Sequence, residues 1–334
     1  MTEHQTLFEA WLNQHDDAAW AQVIFRLLPS VHEVDRRAVQ IWFAFFPLKL
    51  KRAFDRAADP ARLERDLVLK GKWRLADQVD SSAHFLYGHR WWPQVKKAVA
   101  AYAESSSAPH SLSLEDQILE VAGKVAGEVK ADRLLLTAIT AVAFMTLQQV
   151  GHELFRQPSA PLSAKPDRSP EQILRERATD DSQGILAFLR TVDKRFTVTF
   201  DENDPAAKFP AINLQDLTMA AKLDARPHHL KDARCVAGEG PIPVECRTAA
   251  CGTCWVGVLS DASKVSAPTR LETDKMNSVF CYPGFNAAPD SPIRLACQTR
   301  AHGNVSIVIP PWNGLLWRLK KIEETEAETV DSRK

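Results

Sequence analysis

Up to about residue 157, apolar residues recur at intervals of three and four. This period predicts helices over 6–13, 17–28, 34–57 with a break or kink at Pro47, 60–68, 94–104, 114–130 and 133–155, six or seven in all. The pattern changes after residue 194. Residues 195–200 alternate like a half-buried strand, and 208–213 supply a hairpin partner across the turn 201–205. A helix is then expected from an N-cap at Asn213, with Asp216 three residues on and Leu214, Leu217, Ala220 and Ala221 as its apolar stripe. Strands follow at 255–259 and at 304–310, the second entered through Gly303. Between these elements, 224–242 and the proline-rich 260–291 read as loops, with a short helix around 269–276.

The two patterns meet at a stretch rich in proline and serine. Pro158, Pro161, Pro166 and Pro170, with Ser159, Ser163 and Ser169, describe a semi-extended linker, and a short helix is expected at 171–178. The resulting expectation is an all-α bundle over 1–156, a linker with a short helix over 157–180, an α+β domain over 181–319 and a charged tail over 320–334. Strands packed on a helix are what make the second domain α+β.

Charge and composition then narrow the partners. With 42 basic and 42 acidic residues the net charge is zero, so no nucleic-acid partner is expected. Residues 134–151 carry no charge and approach the length of a membrane span. However, Thr137, Thr140, Thr146, Gln148 and Gln149 dilute the run, and a buried central helix is expected instead. The stretch around Trp312, Leu315, Leu316, Trp317 and Leu319 is short and soon followed by glutamates, so packing on the protein is favoured over membrane contact. The opening residues Met1-Thr2-Glu3-His4 do not lead from a basic into an apolar segment, which predicts a cytoplasmic location.

The chemistry lies in the cysteines. Cys246, Cys251 and Cys254 are spaced C-x4-C-x2-C, and Cys297 stands alone downstream, which is the spacing used to hold a [2Fe–2S] cluster. Two irons bridged by sulfides need four thiolates, and a tight loop can bring three while a separate segment closes the other side. Gly252 and Thr253 are small enough to let backbone N–H groups approach sulfur. Zinc ribbons favour paired C-x2-C knuckles, and only Cys251 and Cys254 form one. A disulfide scaffold belongs to small domains of oxidising compartments, not to 334 residues of this composition. Cys235 and Cys281 fall outside the spacing and are expected to be ordinary thiols.

Residues from about 196 to 310 resemble a plant-type or adrenodoxin-like [2Fe–2S] ferredoxin. The resemblance rests on Cys246, Arg247, Cys251, Gly252 and Cys254 in the loop, and on Leu295, Cys297 and Gln298 before the last strand. It implies a β-grasp fold, one [2Fe–2S] cluster held by Cys246, Cys251, Cys254 and Cys297, and one-electron transport. One position departs from the family loop. Ala249 stands where glycine is usual, adding a Cβ that disfavours positive φ. For the N-terminal bundle no family is recognised.

The implied function is that of an electron carrier within a larger oxidoreductase system, its helical domain docking a redox protein partner. The alternative is a redox sensor whose cluster state controls partner binding. No catalytic acid, base or nucleophile accompanies the cysteines, and no phosphate-cradling glycine loop is present, so the chain is not read as a catalyst on its own. Residues 82–93 are dense in aromatics and histidine. His84 and His89 are five apart, about 140° around a helix, and would not share a face as ligands; with His152, their binding role is left open by the sequence. The stretch reads as a core cluster or, with Trp91, as an aromatic docking surface.

Overall fold

The computed structural model describes residues 6–105, 112–178, 194–280, 290–312 and 314–331. It divides into two compact units, one of residues 1–51 and 74–174, the other of residues 52–73 and 175–334. The division is not collinear with the sequence. Residues 52–73, expected in the bundle, belong to the second unit, and most of the expected linker belongs to the first.

The first unit is helical. It holds α1 (Leu7–Leu12), α2 (Asp17–Leu27), α3 (Glu33–Phe45), the start of α4 (Leu48–Arg56), α6 (Trp92–Ser105), α7 (Leu114–Val129), α8 (Arg133–Val150) and α9 (His152–Phe155), and α10 (Pro170–Ala178) begins in it. The expected break at Pro47 separates α3 from α4. Helix starts are chemically marked: Thr6 and Glu9 form a capping box, and the Asp16, Ser113 and Asp132 side chains accept from N–H groups of the first turns.

Helix α8 is long and apolar enough to cross a membrane, yet 78% of its 18-residue window is buried inside the protein. Of the polar residues that dilute it, all but Thr140 have partners there. Gln148 accepts from the Trp20 indole at 2.6 Å and donates to His15 O at 2.8 Å, Gln149 donates to Phe46 O, and the Thr146 hydroxyl returns to Val142 O. Such a buried polar group is stabilising only when paired.

The aromatic stretch 82–93 is mostly core. Phe85, Leu86 and Trp92 are buried, Trp91 is half-buried, and the expected linker runs along this corner. Lys165 donates to His84 O and Leu86 O, Arg90 to Pro166 O, and the Tyr87 hydroxyl to Arg168 O. The chain's own segment 165–168 thus occupies part of this corner, and Trp91 stays half-exposed.

The second unit is built on a five-stranded sheet of β1 (Arg195–Thr199), β2 (Lys208–Ile212), β3 (Trp255–Val258), β4 (Ile293–Leu295) and β5 (Val305–Val308), in the order β2-β1-β5-β3-β4. Strand β1 pairs antiparallel with β2 and parallel with β5, while β3 pairs antiparallel with both β4 and β5. Phe196, Val198, Phe209 and Ala211 point inward on alternate positions, as the hairpin pattern predicts. The sheet with α11 (Leu217–Ala221) gives the expected α+β domain of β-grasp type. The unit also contains the end of α4, α5 (Pro60–Asp66), α12 (Arg270–Asp274), a π-helical turn at Lys275–Phe280 and α13 (Leu315–Asp331).

Three expectations are corrected here. The cap of α11 is Asp216, whose Oδ1 accepts from Met219 N at 2.9 Å, not Asn213. Leu214 has φ +66° and is 51% exposed, outside the apolar stripe. Strand β4 was not foreseen. Residues 320–331 continue a helix instead of leaving as a tail.

Candidate metal centre

The loop 244–254 descends from the segment after α11 into β3, so Cys254 immediately precedes a buried strand. The β3–β4 ladder pairs Trp255 with Leu295 and is extended by Ala296 N donating to Cys254 O at 2.9 Å. The turn after β4 carries Cys297. The sheet thus brings a residue of the C-x4-C-x2-C run beside the distant fourth cysteine, and the two thiols share a hydrogen bond. Cys246 and Cys251 share another. The four predicted cysteines are brought together as two pairs.

Among the described residues no three His, Cys, Asp or Glu side chains converge on a single ion position. A binuclear cluster does not require that, because each iron takes two thiolates and completes its shell with sulfide. A tetrahedral zinc site does require it. The donor set fits a [2Fe–2S] cluster.

Backbone conformation turns N–H groups toward sulfur. Arg247, Ala249 and Gly252 have φ of +56°, +60° and +66°, and the intervening residues reverse the chain around Cys246. Its Sγ accepts from Thr248 N at 3.4 Å and from Ala250 N and Cys251 N at 3.3 Å. Ala249 N–H serves Cys297, and Gln298 Nε2 lies 3.6 Å from that sulfur. Thr253 Oγ1 stands 3.1 Å from Cys251 Sγ. Alanine at 249 therefore does adopt the left-handed conformation that its Cβ disfavours, at a cost of roughly 1–2 kcal/mol.

The thiols divide accordingly. Burial raises the Cys246 pKa, but the Thr248 and Cys251 donors outweigh it and bring the thiol down to about 7. Cys297 is likewise brought to about 7, chiefly by the hydrogen bond from Cys254, while Cys254 is raised by the same bond and by burial. Cys235 is unlike them. It is buried against Pro241 O at 3.3 Å, and burial pushes it up to about 11, the condition of an inert thiol. Cys281 lies outside the described residues.

Side chains that sequence reading did not pick out hold the loop and the fourth cysteine. Glu239 pairs with both Arg247 and Lys222, and Arg247 also donates to Thr218 Oγ1 at 3.1 Å. Glu272 and Arg294 form a fully buried two-bond ion pair at 2.8 Å, and Glu272 also accepts from Leu295 N at 2.9 Å, two residues before Cys297. Arg294 stood beside the recognised Leu295 and Cys297, but no spacing links it to Glu272. The histidines do not converge: His84 meets Ser81 O, His89 donates to Asp80 O, and His152 lies 3.4 Å from Glu104.

Residues 223–302 match the family of the 2Fe-2S iron-sulfur cluster binding domain, a span that contains all four paired cysteines. Neither the curated proteins nor the solved structures gave a match. The match supports a 2Fe–2S ferredoxin-type region in the C-terminal part of the chain, of the kind that carries electrons.

Proposed function

We propose that the chain holds one [2Fe–2S] cluster on Cys246, Cys251, Cys254 and Cys297 and relays single electrons between redox protein partners in a larger oxidoreductase system. The observation that carries this reading is the gathering of four thiols into two pairs under a loop that aims three backbone N–H groups at Cys246.

When bound, the cluster supplies a one-electron couple. The protein's own residues do the rest. The N–H donors on Cys246 and Cys297 stabilise negative charge on sulfur, and Glu239 and Glu272 hold the two cysteine-bearing segments. No step here needs a proton or a nucleophile. The helical unit is assigned to partner docking.

The test is elemental and electrochemical. Purified chain should contain about two irons and two acid-labile sulfides and should take up one electron, with a low potential on the order of −400 mV. A colourless, iron-free chain after reconstitution would overturn the reading.

A further inference from the structure

Residues 52–73 are placed by sequence among the helices, yet they are part of the cluster-bearing unit. Their contacts converge on one stretch. Arg318 Nη1 donates to Leu67 O at 3.2 Å. At Gly71, φ +69°, a Cβ would lie 3.7 Å from Asp232 Oδ1 and 3.9 Å from Arg234 Cγ. Arg234, held by Asp232, donates in turn to Pro310 O. Residues 52–73 therefore hold the stretch directly at Arg318, and Gly71 lies beside Asp232 and Arg234, the pair that holds Pro310.

That stretch lies on the cysteine loop. Trp312, Leu315, Leu316 and Leu319 are buried, and a Cβ on Gly314 would stand 2.8 Å from Cys251 O and 3.5 Å from Gly252 O, so only hydrogen fits there. Arg318 N donates to Gly314 O, which puts the Leu67 contact and the loop contact one helical turn apart.

We propose that residues 52–73, with 310–312 and 314–319, form a brace that closes the Cys251–Gly252 side of the loop to water and holds the reduction potential of the cluster low. The inference rests on the assignment of the four cysteines as cluster ligands. Its reason is electrostatic. The reduced form carries one more negative charge than the oxidised form, water favours the more charged state, and excluding water from the thiolates lowers the potential. Arg318 and Gly314 are positioning residues, acting through the loop and not on the irons.

The experiment uses the full chain. Arg318→Ala should leave iron content and visible spectrum as in the parent, shift the potential upward and speed iron loss to a chelator several-fold. Arg318→Lys, whose ammonium can still reach Leu67 O, should restore most of both. Lys320→Ala, exposed on the same helix, should change neither. Gly314→Ala should exceed Arg318→Ala in both effects, and if it fails to fold Arg318→Ala carries the test alone. Parental potential and release rate in Arg318→Ala, with iron in place, would overturn the brace. Absence of iron from the parent chain would instead overturn the ligand assignment. Hydrogen exchange of the 251–253 amides in metal-free protein would then decide the brace: faster exchange in Arg318→Ala upholds it, unchanged exchange overturns it.

Discussion

The two units solve the burial of polar groups in opposite ways. In the helical unit, polar side chains inside the core serve the fold: Gln148 and Gln149 tie α8 to Trp20 and to the end of α3, and the N–H groups are consumed by the helices themselves. In the sheet unit, the loop 246–252 leaves its N–H groups out of any ladder and gives them to sulfur. Periodic backbone satisfies itself. Irregular backbone, bent by positive φ at three residues, has donors to spare for a ligand.

The sharpest test of that contrast is removal of a sulfur. Cys254→Ser or Cys297→Ser should abolish stable iron retention, seen as loss of the visible spectrum and of bound iron. Cys235→Ser should leave both in place. A stable cluster in the Cys297 variant would break the assignment of the fourth ligand.

In the helical unit the largest response should come from a cavity. Phe144 is fully buried in α8 against Phe8 and Tyr102, and Phe144→Ala should destabilise by about 3–5 kcal/mol in urea unfolding. The absorption per bound iron should not change.

A pH response should separate the units further. Burial, followed by the nearby Lys165 charge, lowers the His89 pKa to about 4 from an ordinary 6.5. Above pH 6.5 both native and unfolded forms are neutral, and His89 contributes nothing. Between 6.5 and 4 the unfolded form gains a proton that the native form refuses, so stability falls by about 3 kcal/mol and then levels off. His89→Gln, whose amide can still donate to Asp80 O, should flatten this slope in a series of unfolding midpoints.

The smallest effect belongs to the loop. Ala249→Gly should relieve the left-handed strain and stabilise the unit by up to about 1 kcal/mol, read as a higher unfolding midpoint with iron content unchanged.

What could be read in advance followed the same division. The helices of the bundle, the break at Pro47 and strands β1 and β2 announce themselves through side-chain period, and β3 and β5, buried at every position, through short apolar runs. Strand β4 is three residues long with a buried charge at its centre, Arg294, so neither length nor alternation marks it. The start of α11 was misplaced because Asn213 and Asp216 both suit a cap, and only the backbone bonds of the Leu214 turn decide between them. Cysteine spacing reported the loop because chemistry restricts it. The attachment of 52–73 to the sheet unit had no local signal at all, since what decides it is contact across most of the chain.

That attachment also bears on how the molecule is made. Leu67 and Arg318 are joined across 251 residues, so the segment 52–73 leaves the ribosome long before its partner is synthesised, and the second unit has a high contact order. Buried Leu67 and Trp73 must wait in a partly folded chain, a liability for aggregation that overexpression without chaperones would reveal. A gene fragment starting at residue 175 would discard them together with the Leu67 carbonyl that holds Arg318. A fragment intended to retain this unit must therefore carry residues 52–73, fused or supplied in trans.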